Sequence, residues 1–227
     1  MFTIPQKFIY TILYAIIIAA VLFVIEITYR RYKLSAEISR KIGHITVGLI
    51  SLIFIQLIND IYIIGIISSC AFIFLLITRE KGFLDSIHSA DRKSLGSVIY
   101  PLPFLICFVI TKIENSTLYL YLPLLTFILA DSAAALGGIW LRWIPYKIGK
   151  QTKTVSGSIA FFTIAVILAM LIINRFFDIR LLILFGISLI MALLTTLIEA
   201  ITPKGLDNIS ITIIQILLIK SIFIIIL

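Results

Sequence analysis

The stretch IYIIGIISSCAFIFLLIT, residues 61–78, runs for 18 residues without a charged side chain. A helix of about 20 such residues crosses the hydrocarbon core of a bilayer. A transmembrane β-barrel would instead need strands of roughly ten residues in which apolar and polar side chains alternate, and this stretch does not alternate. The stretch therefore predicts a transmembrane helix.

The composition of the whole chain supports the same class of protein. Of its 227 residues, 61% are hydrophobic and 13% are charged, whereas soluble domains are roughly half apolar and a quarter charged. The two cysteines, Cys70 and Cys107, lie inside apolar runs without the paired spacing of a zinc or redox motif. We therefore predict an all-α fold, a polytopic transmembrane helix bundle.

Eight apolar runs bounded by charged or turn residues are predicted as helices. They cover residues 8–28, 42–58, 61–78, 96–111, 118–141, 158–173, 181–201 and 208–227. The fourth is short and contains Pro101 and Pro103, so we expect it to be kinked, tilted or partly re-entrant, and seven spans are the alternative. No internal repeat or long linker divides the chain, so residues 1–227 are predicted to be a single integral-membrane domain.

The basic residues predict how the helices are oriented. Arg30 and Arg31 follow a first run that is too long for the apolar part of a signal peptide, so we expect an uncleaved helix with its N-terminus on the non-cytoplasmic side. An even number of spans returns the C-terminus to that side. Of the 19 Lys and Arg residues, 14 then fall in cytoplasmic loops, and five do not: Lys7, Lys112, Arg175, Arg180 and Lys220. Topology therefore explains the net charge of +8, without a nucleic-acid partner.

Polar clusters recur where the predicted helices enter the cytoplasmic leaflet, although ionisable groups at membrane depth are costly. Arg40, Lys41 and His44 share one face of the second helix, and this face could hold phosphate groups. Alternatively, the two basic residues only mark the cytoplasmic side and His44 caps or bridges helices. A second cluster, residues 91–96, is either a loop that folds against polar ligands or a solvated loop.

The third cluster is the most specific. Asp131 begins a stripe of small residues that continues through Ala134, Ala135 and Gly138. A carboxylate in such a place can hold Mg²⁺, which usually bridges one or two carboxylates to substrate phosphates. Small residues also allow two helices to pack closely, which is the alternative interpretation of the stripe.

Basic and small residues follow this stripe in the order that a phosphate site needs. Lys150 and Lys153 are point charges of the kind that bind phosphate, and residues 154–158 open a helix whose N–H groups and dipole favour an anion. The pattern of a Walker A loop is absent. The alternative is a basic loop without a ligand.

The fourth cluster lies near the end of the chain. Glu199 continues a polar stripe that includes Thr195, Thr196 and Thr202, and Asp207 precedes the last predicted helix. A lipid-facing helix would not carry such a stripe. Asp207 could equally be a plain N-cap.

Taken together, these motifs resemble those of the family of dolichol kinases, phytol kinases and CTP-dependent diacylglycerol kinases. The resemblance covers about residues 40–208 and is carried in order by Arg40-Lys41-x-x-His44, Asp91-Arg92-x-x-x-Gly96, Asp131-x-x-Ala134-x-x-x-Gly138, Gly149-Lys150, Lys153-Thr154-x-x-Gly157-Ser158 and Glu199-Ala200 followed by Asp207-Asn208. One departure is Ser156, where the family usually has an acidic residue.

The resemblance implies a membrane lipid kinase that phosphorylates an alcohol with CTP or ATP. The acceptor would be an isoprenoid alcohol or diacylglycerol, and the active site would face the cytoplasm. Asp131, with Asp207 or Glu199, would hold Mg²⁺, and His44, Asp91 or Glu199 would act as a base. The nucleotide would contact Arg40, Lys41, Gly138, Lys150, Lys153, Thr154, Gly157 and Ser158.

Two other functions stay open at this point. Phosphatidate cytidylyltransferases are similar in the Asp131 and Lys153 motifs, but residues 199–227 lack the acidic and basic signature that such enzymes carry at the C-terminus. A transporter could use Asp131 and Glu199 as ion sites, although the polar clusters lie at one face and not near the midplane. The identity of the alcohol, the nucleotide and the oligomeric state are left open by the sequence.

Overall fold

The structure is a computed structural model that describes residues 2–88, 95–149, 151–203 and 205–226. Ten α-helices, one π-helical segment and two short strands are assigned among these residues. In chain order they are α1 (Ile4–Tyr32), α2 (Ala36–Ile58), α3 (Ile61–Glu80), α4 (Asp85–His88), α5 (Leu102–Glu114), α6 (Leu118–Leu125), the π-helical segment (Thr126–Ala130), α7 (Asp131–Leu141), β1 (Pro145–Ile148), β2 (Gln151–Thr154), α8 (Val155–Phe176), α9 (Leu181–Ile201) and α10 (Asp207–Ile226).

Six helices in the described part of the chain are long and apolar enough to cross a membrane. They are α1, α2, α3, the continuous span Leu118–Leu141, α8 and α9. This result confirms a helical, multi-pass integral membrane protein. The count of eight spans and the sides on which the termini lie stay predictions.

The fourth predicted helix differs from the prediction at its start. The prediction was residues 96–111, whereas α5 covers Leu102–Glu114 and has only 13 residues. Pro101 and Pro103 therefore lie just before and within its first turn and do not kink a longer helix. Proline is well tolerated there, because the first N–H groups of a helix have no partner inside the helix.

The chain divides into two compact units, Met1–Leu105 and Ile106–Leu227. In the first unit, α2 is about half buried, whereas α1 buries only Ile25 among its described side chains. The short helix α4 is held by the carboxylate of Glu26, which accepts the Ser86 backbone N–H at 3.0 Å. His88 lies between Thr78 and Ser97, at 3.1 and 2.9 Å, and burial lowers the pKa of its imidazole.

An N-cap on Asp60 fixes the start of α3. One oxygen of its carboxylate accepts the N–H groups of Tyr62 and Ile63, which are otherwise without partners in the first turn of a helix. The other oxygen accepts from Lys7 Nζ at 2.7 Å, and this hydrogen bond holds the pKa of Asp60 below its ordinary value. Asp60 therefore both begins α3 and connects the α2–α3 turn to α1 through Lys7.

The core of the second unit is apolar and is shared by four of its helices. It lies among α6, α8, α9 and α10, and buries side chains that include Leu118, Tyr119, Leu122, Ala169, Ile173, Leu184, Met191 and Ile219. At about 25 cal/mol per Å², such burial is the main stabilising term of a bundle in water. Inside a bilayer, close packing replaces it.

A π-helical segment interrupts the span Leu118–Leu141 directly before Asp131. The backbone N–H of Asp131 donates to the carbonyl of Thr126, five residues earlier, and Pro123 removes one ordinary helical hydrogen bond just upstream. One additional residue in the turn rotates everything that follows. The side chain of Asp131 therefore leaves the face that a regular helix would give it.

Glycines allow α7 and the start of α8 to approach closely. A Cβ atom on Gly157 would lie 2.7 Å from the carbonyl oxygen of Ala134, and one on Gly137 would lie 2.9 Å from the Cβ of Ala160. Neither distance is tolerated without a shift of the backbone. The small residues after Asp131 thus form a helix-packing surface, as the alternative interpretation of this stripe proposed.

We expect Gly137→Ala to lower the melting temperature of the protein in detergent micelles. Over-packing of this kind typically costs about 1–3 kcal/mol. Gly186→Ala is the matched control, because a Cβ there would meet nothing within 4 Å, and alanine favours a helix over glycine. Equal melting temperatures for the two variants would contradict the packing described here.

Candidate functional site

An antiparallel hairpin connects α7 to α8, and it was not predicted from the sequence. Strands β1 and β2 pair so that Lys153 lies opposite Tyr146. Gly149 occupies the turn with a φ of 59°, a left-handed conformation that glycine adopts without steric cost. Lys150, the other predicted phosphate-binding lysine, lies outside the described residues.

The hairpin brings Lys153 to Glu199 at the end of α9. Lys153 Nζ lies 2.7 Å from the Oε1 atom of Glu199, and it also donates to the backbone carbonyl of the same residue. The two side chains are only 16% and 9% exposed. An ion pair with so little solvent around it is formed only where geometry and additional hydrogen bonds compensate for lost hydration.

Two more carboxylates lie within electrostatic range of this pair. The charges of Asp131 and Asp207 both act on Glu199, together with that of Lys153. Asp131 is buried at the start of α7, and Asp207 is the first residue of α10. We refer to Asp131, Lys153, Glu199 and Asp207 as the carboxylate–lysine cluster; its members come from α7, β2, α9 and α10.

Asp207 also has a local structural contact. Its Oδ1 atom accepts the backbone N–H groups of Gly205 and Asn208, at 3.1 and 3.0 Å. This arrangement shapes the turn before α10. Asp207 is thus the first residue of α10 and not the N-cap suggested from the sequence, and its role as a ligand stays a prediction.

The carboxylate–lysine cluster has donors of the type that Mg²⁺ prefers, namely carboxylate oxygens. Within the described residues, however, no three or more His, Cys, Asp or Glu side chains are close enough to hold a metal ion. Mg²⁺ usually takes only one or two protein carboxylates and completes its shell with water and phosphate. The binding of Mg²⁺ at the cluster therefore stays a prediction.

Two backbone N–H groups in the first turn of α8 already donate to acceptors within the protein. Thr154 is the N-cap, and its Oγ1 atom accepts the Gly157 N–H at 3.1 Å, while the Val155 N–H donates to the carbonyl of Ile144 at 3.0 Å. A Cβ on Gly138 would lie 2.9 Å from the same Thr154 oxygen. Thr154, Gly157 and Gly138 therefore pack together around the cap.

Two serines of this helix start contact the hairpin or its base. Ser158 Oγ shares a hydrogen bond of 2.6 Å with the Tyr146 hydroxyl. Ser156, where the resembled family usually has an acid, is buried; its hydroxyl donates to Thr154 Oγ1 at 3.2 Å and its oxygen accepts the Trp143 N–H at 3.4 Å. A small neutral side chain fits this position because it is enclosed by the cap and the chain before the hairpin.

The predicted basic face of α2 belongs to the first unit. Arg40 pairs with Glu37 at 2.5 Å, and Lys41 and His44 are both buried. The carbonyl of His44 accepts the hydroxyl of Tyr100 at 2.6 Å, and the two rings pack edge to face. His44 thus bridges α2 to the turn before α5, as one interpretation of the sequence suggested. Asp91 lies outside the described residues.

A buried amide in α10 was missed from the sequence. Gln215 is completely buried and donates from Nε2 to Thr195 Oγ1 at 3.0 Å, one turn of α9 before Glu199. Thr195 and Thr196 in turn donate to carbonyls of their own helix. The available signal was an amide in the middle of the last apolar run, since an amide in hydrocarbon needs a protein partner.

Comparison with known proteins finds no similar protein. No family model matches the chain, and neither a curated protein nor a solved structure matches it significantly.

We expect Lys153→Met to destabilise the protein strongly, by about 3–5 kcal/mol, because it leaves Glu199 beside the charges of Asp131 and Asp207. Adding Glu199→Gln to this variant should restore part of the loss, since the buried carboxylate is then removed. Melting temperatures of the two single variants and the double variant in detergent measure the coupling.

The ion pair between Lys220 and Glu114 provides the matched comparison for that cycle. It has the same donor and acceptor types at 2.8 Å, but Lys220 is 59% exposed. Lys220→Met should therefore cost no more than about 1 kcal/mol. Strictly additive effects of Lys153→Met and Glu199→Gln would show that the buried pair does not act as a unit.

Proposed function

We propose that the protein is a membrane lipid-alcohol kinase that transfers the γ-phosphate of a nucleoside triphosphate, CTP or ATP, to the hydroxyl of an isoprenoid alcohol or diacylglycerol. The observation that carries this proposal is the carboxylate–lysine cluster, in which the Lys153–Glu199 ion pair lies within electrostatic range of Asp131 and Asp207. A bundle that only had to fold would not need buried charges at this place.

Phosphoryl transfer requires mainly positioning and charge neutralisation from a protein. Asp131, with Glu199 or Asp207, would hold Mg²⁺, which supplies positive charge at the phosphates. Lys153 would contact the triphosphate, after exchanging Glu199 for a phosphate oxygen. The exchange keeps the lysine paired and releases a carboxylate oxygen of Glu199.

The acceptor would reach the cluster from the bilayer. Its hydroxyl oxygen forms the new bond to the γ-phosphorus, the bond between this phosphorus and the β-phosphate oxygen breaks, and CDP or ADP leaves. The hydroxyl proton passes to a base, for which Glu199 is the candidate within the cluster. Lys150 would add positive charge around the nucleotide, and the site would face the cytoplasm.

The proposal predicts that the purified protein with Mg²⁺ and γ-labelled CTP or ATP transfers label to at least one member of a panel of lipid alcohols. Asp131→Asn should abolish this transfer, because an amide cannot replace a carboxylate beside a divalent cation. Glu114→Gln removes a carboxylate from the same unit outside the cluster and should keep full activity.

Other results of the same assay identify the rival functions. Pyrophosphate release with incorporation of label from α-labelled CTP into phosphatidate would replace the kinase with a cytidylyltransferase. Absence of both signals across the panel, in protein that keeps its melting temperature, would reject both activities and leave transport. Full activity of Asp131→Asn would remove this residue from the site.

We expect Lys153→Ala to raise the nucleotide concentration needed for half-maximal rate by about ten-fold or more, as hydrogen bonds to charged groups contribute roughly 1.5–3 kcal/mol. The measurement is the rate as a function of nucleotide at saturating lipid. Lys220→Met removes a lysine of the same unit outside the cluster and should leave this dependence unchanged. An unchanged nucleotide dependence in Lys153→Ala would exclude a phosphate contact.

A further inference from the structure

The connection between α7 and the hairpin exposes a group of large apolar side chains. Trp140, Leu141, Trp143 and Ile144 are 71%, 71%, 59% and 52% exposed. They lie where the membrane span Leu118–Leu141 ends. We refer to residues 140–147 as the interfacial segment.

The interfacial segment has a defined backbone and is tied to the start of α8. Arg142 and Ile144 have φ angles of 45° and 43°, which are strained for residues with a side chain and above all for a β-branched one. The carbonyl of Ile144 accepts the N–H of Val155, and the N–H of Trp143 donates to Ser156 Oγ. The backbone of this segment is therefore strained in the same stretch in which large apolar side chains are exposed.

The charged side chains in and around the interfacial segment are all basic. Arg142 and Lys147 are both exposed in the interfacial segment, and the sequence contains no Asp or Glu between residues 132 and 177. Basic side chains mixed with tryptophan at the end of a span are typical of the membrane–water interface. Each Lys or Arg near an anionic surface contributes about 1 kcal/mol of attraction.

We propose that the interfacial segment binds the headgroups of anionic phospholipids, with the indole rings of Trp140 and Trp143 at headgroup depth and Arg142 and Lys147 at the lipid phosphates. This interaction does not depend on the proposed kinase activity. It anchors the α7–α8 connection, which ends in the hairpin that carries Lys153, at a fixed depth in the membrane.

Fluorescence provides a direct test, because Trp140 and Trp143 are the two tryptophans of the chain. The full-length protein is reconstituted into vesicles of 30% phosphatidylglycerol and 70% phosphatidylcholine, with either the anionic or the zwitterionic lipid brominated near the headgroup end of its acyl chains. We expect stronger quenching per brominated lipid from phosphatidylglycerol, corresponding to an enrichment of about two- to five-fold around the segment.

The double variant Arg142→Gln/Lys147→Gln should reduce this enrichment to near one and retain contact quenching by both lipids. Arg175→Gln/Arg180→Gln is the matched control, because it removes two exposed charges at the other end of α8 and should leave the enrichment unchanged. Equal quenching by both lipids in the wild-type protein would overturn the proposal. Absence of quenching would also overturn it, because protein would then cover the tryptophans. An equal loss of enrichment in the control variant would overturn it as well.

Discussion

A charge that is removed from water inside an apolar bundle must have a partner, and the Lys153–Glu199 ion pair is where this constraint acts most strongly in the second unit. The pair joins the hairpin to the end of α9, and Lys153 adds a hydrogen bond to the backbone there. Because β2 runs directly into α8, fixing Lys153 also fixes where α8 begins. The positions of α8 and α9 near the carboxylate–lysine cluster are thus coupled through one ammonium group.

Two features of the backbone position the residues of the cluster. The π-helical segment changes the face on which Asp131 emerges, and Gly137 and Gly157 let α7 pack tightly on α8. π-Helical turns are rare and are frequently found at functional sites. This one adjoins a buried carboxylate. The π-helical segment and the buried charge of Asp131 therefore lie at the same place in the chain.

The helices of the fold could largely be predicted from hydropathy. Each of the eight predicted apolar runs has a helix as its counterpart, since a run without charges has few alternatives inside a bilayer. The hairpin escaped prediction because its two strands have only four residues each and carry no strong alternation. The start of α5 was misplaced because prolines were interpreted as a kink and not as a helix start.

The residues of the cluster were singled out from the sequence as polar outliers, but their mutual arrangement was not predicted. Lys153 and Glu199 are 46 residues apart in sequence, and spacing along a chain predicts contacts only within one helix. The lysine was therefore assigned to phosphate without its carboxylate partner. Gln215 was overlooked for the related reason that its partner, Thr195, lies on another helix.

The hydrogen bonds at the start of α8 have a consequence for any anion that binds there. Thr154 and Ile144 already accept two N–H groups of the first turn, so the backbone offers a phosphate less than an uncapped helix start would. Attraction for phosphate must then come chiefly from side chains, and Lys153 is the described lysine at this end of α8. Because Lys153 is held by Glu199, a phosphate that took the place of this carboxylate on the lysine would release it. In the proposed kinase, the same exchange would deliver a carboxylate oxygen toward a cation as the phosphate arrives, which links binding of the nucleotide to binding of the metal.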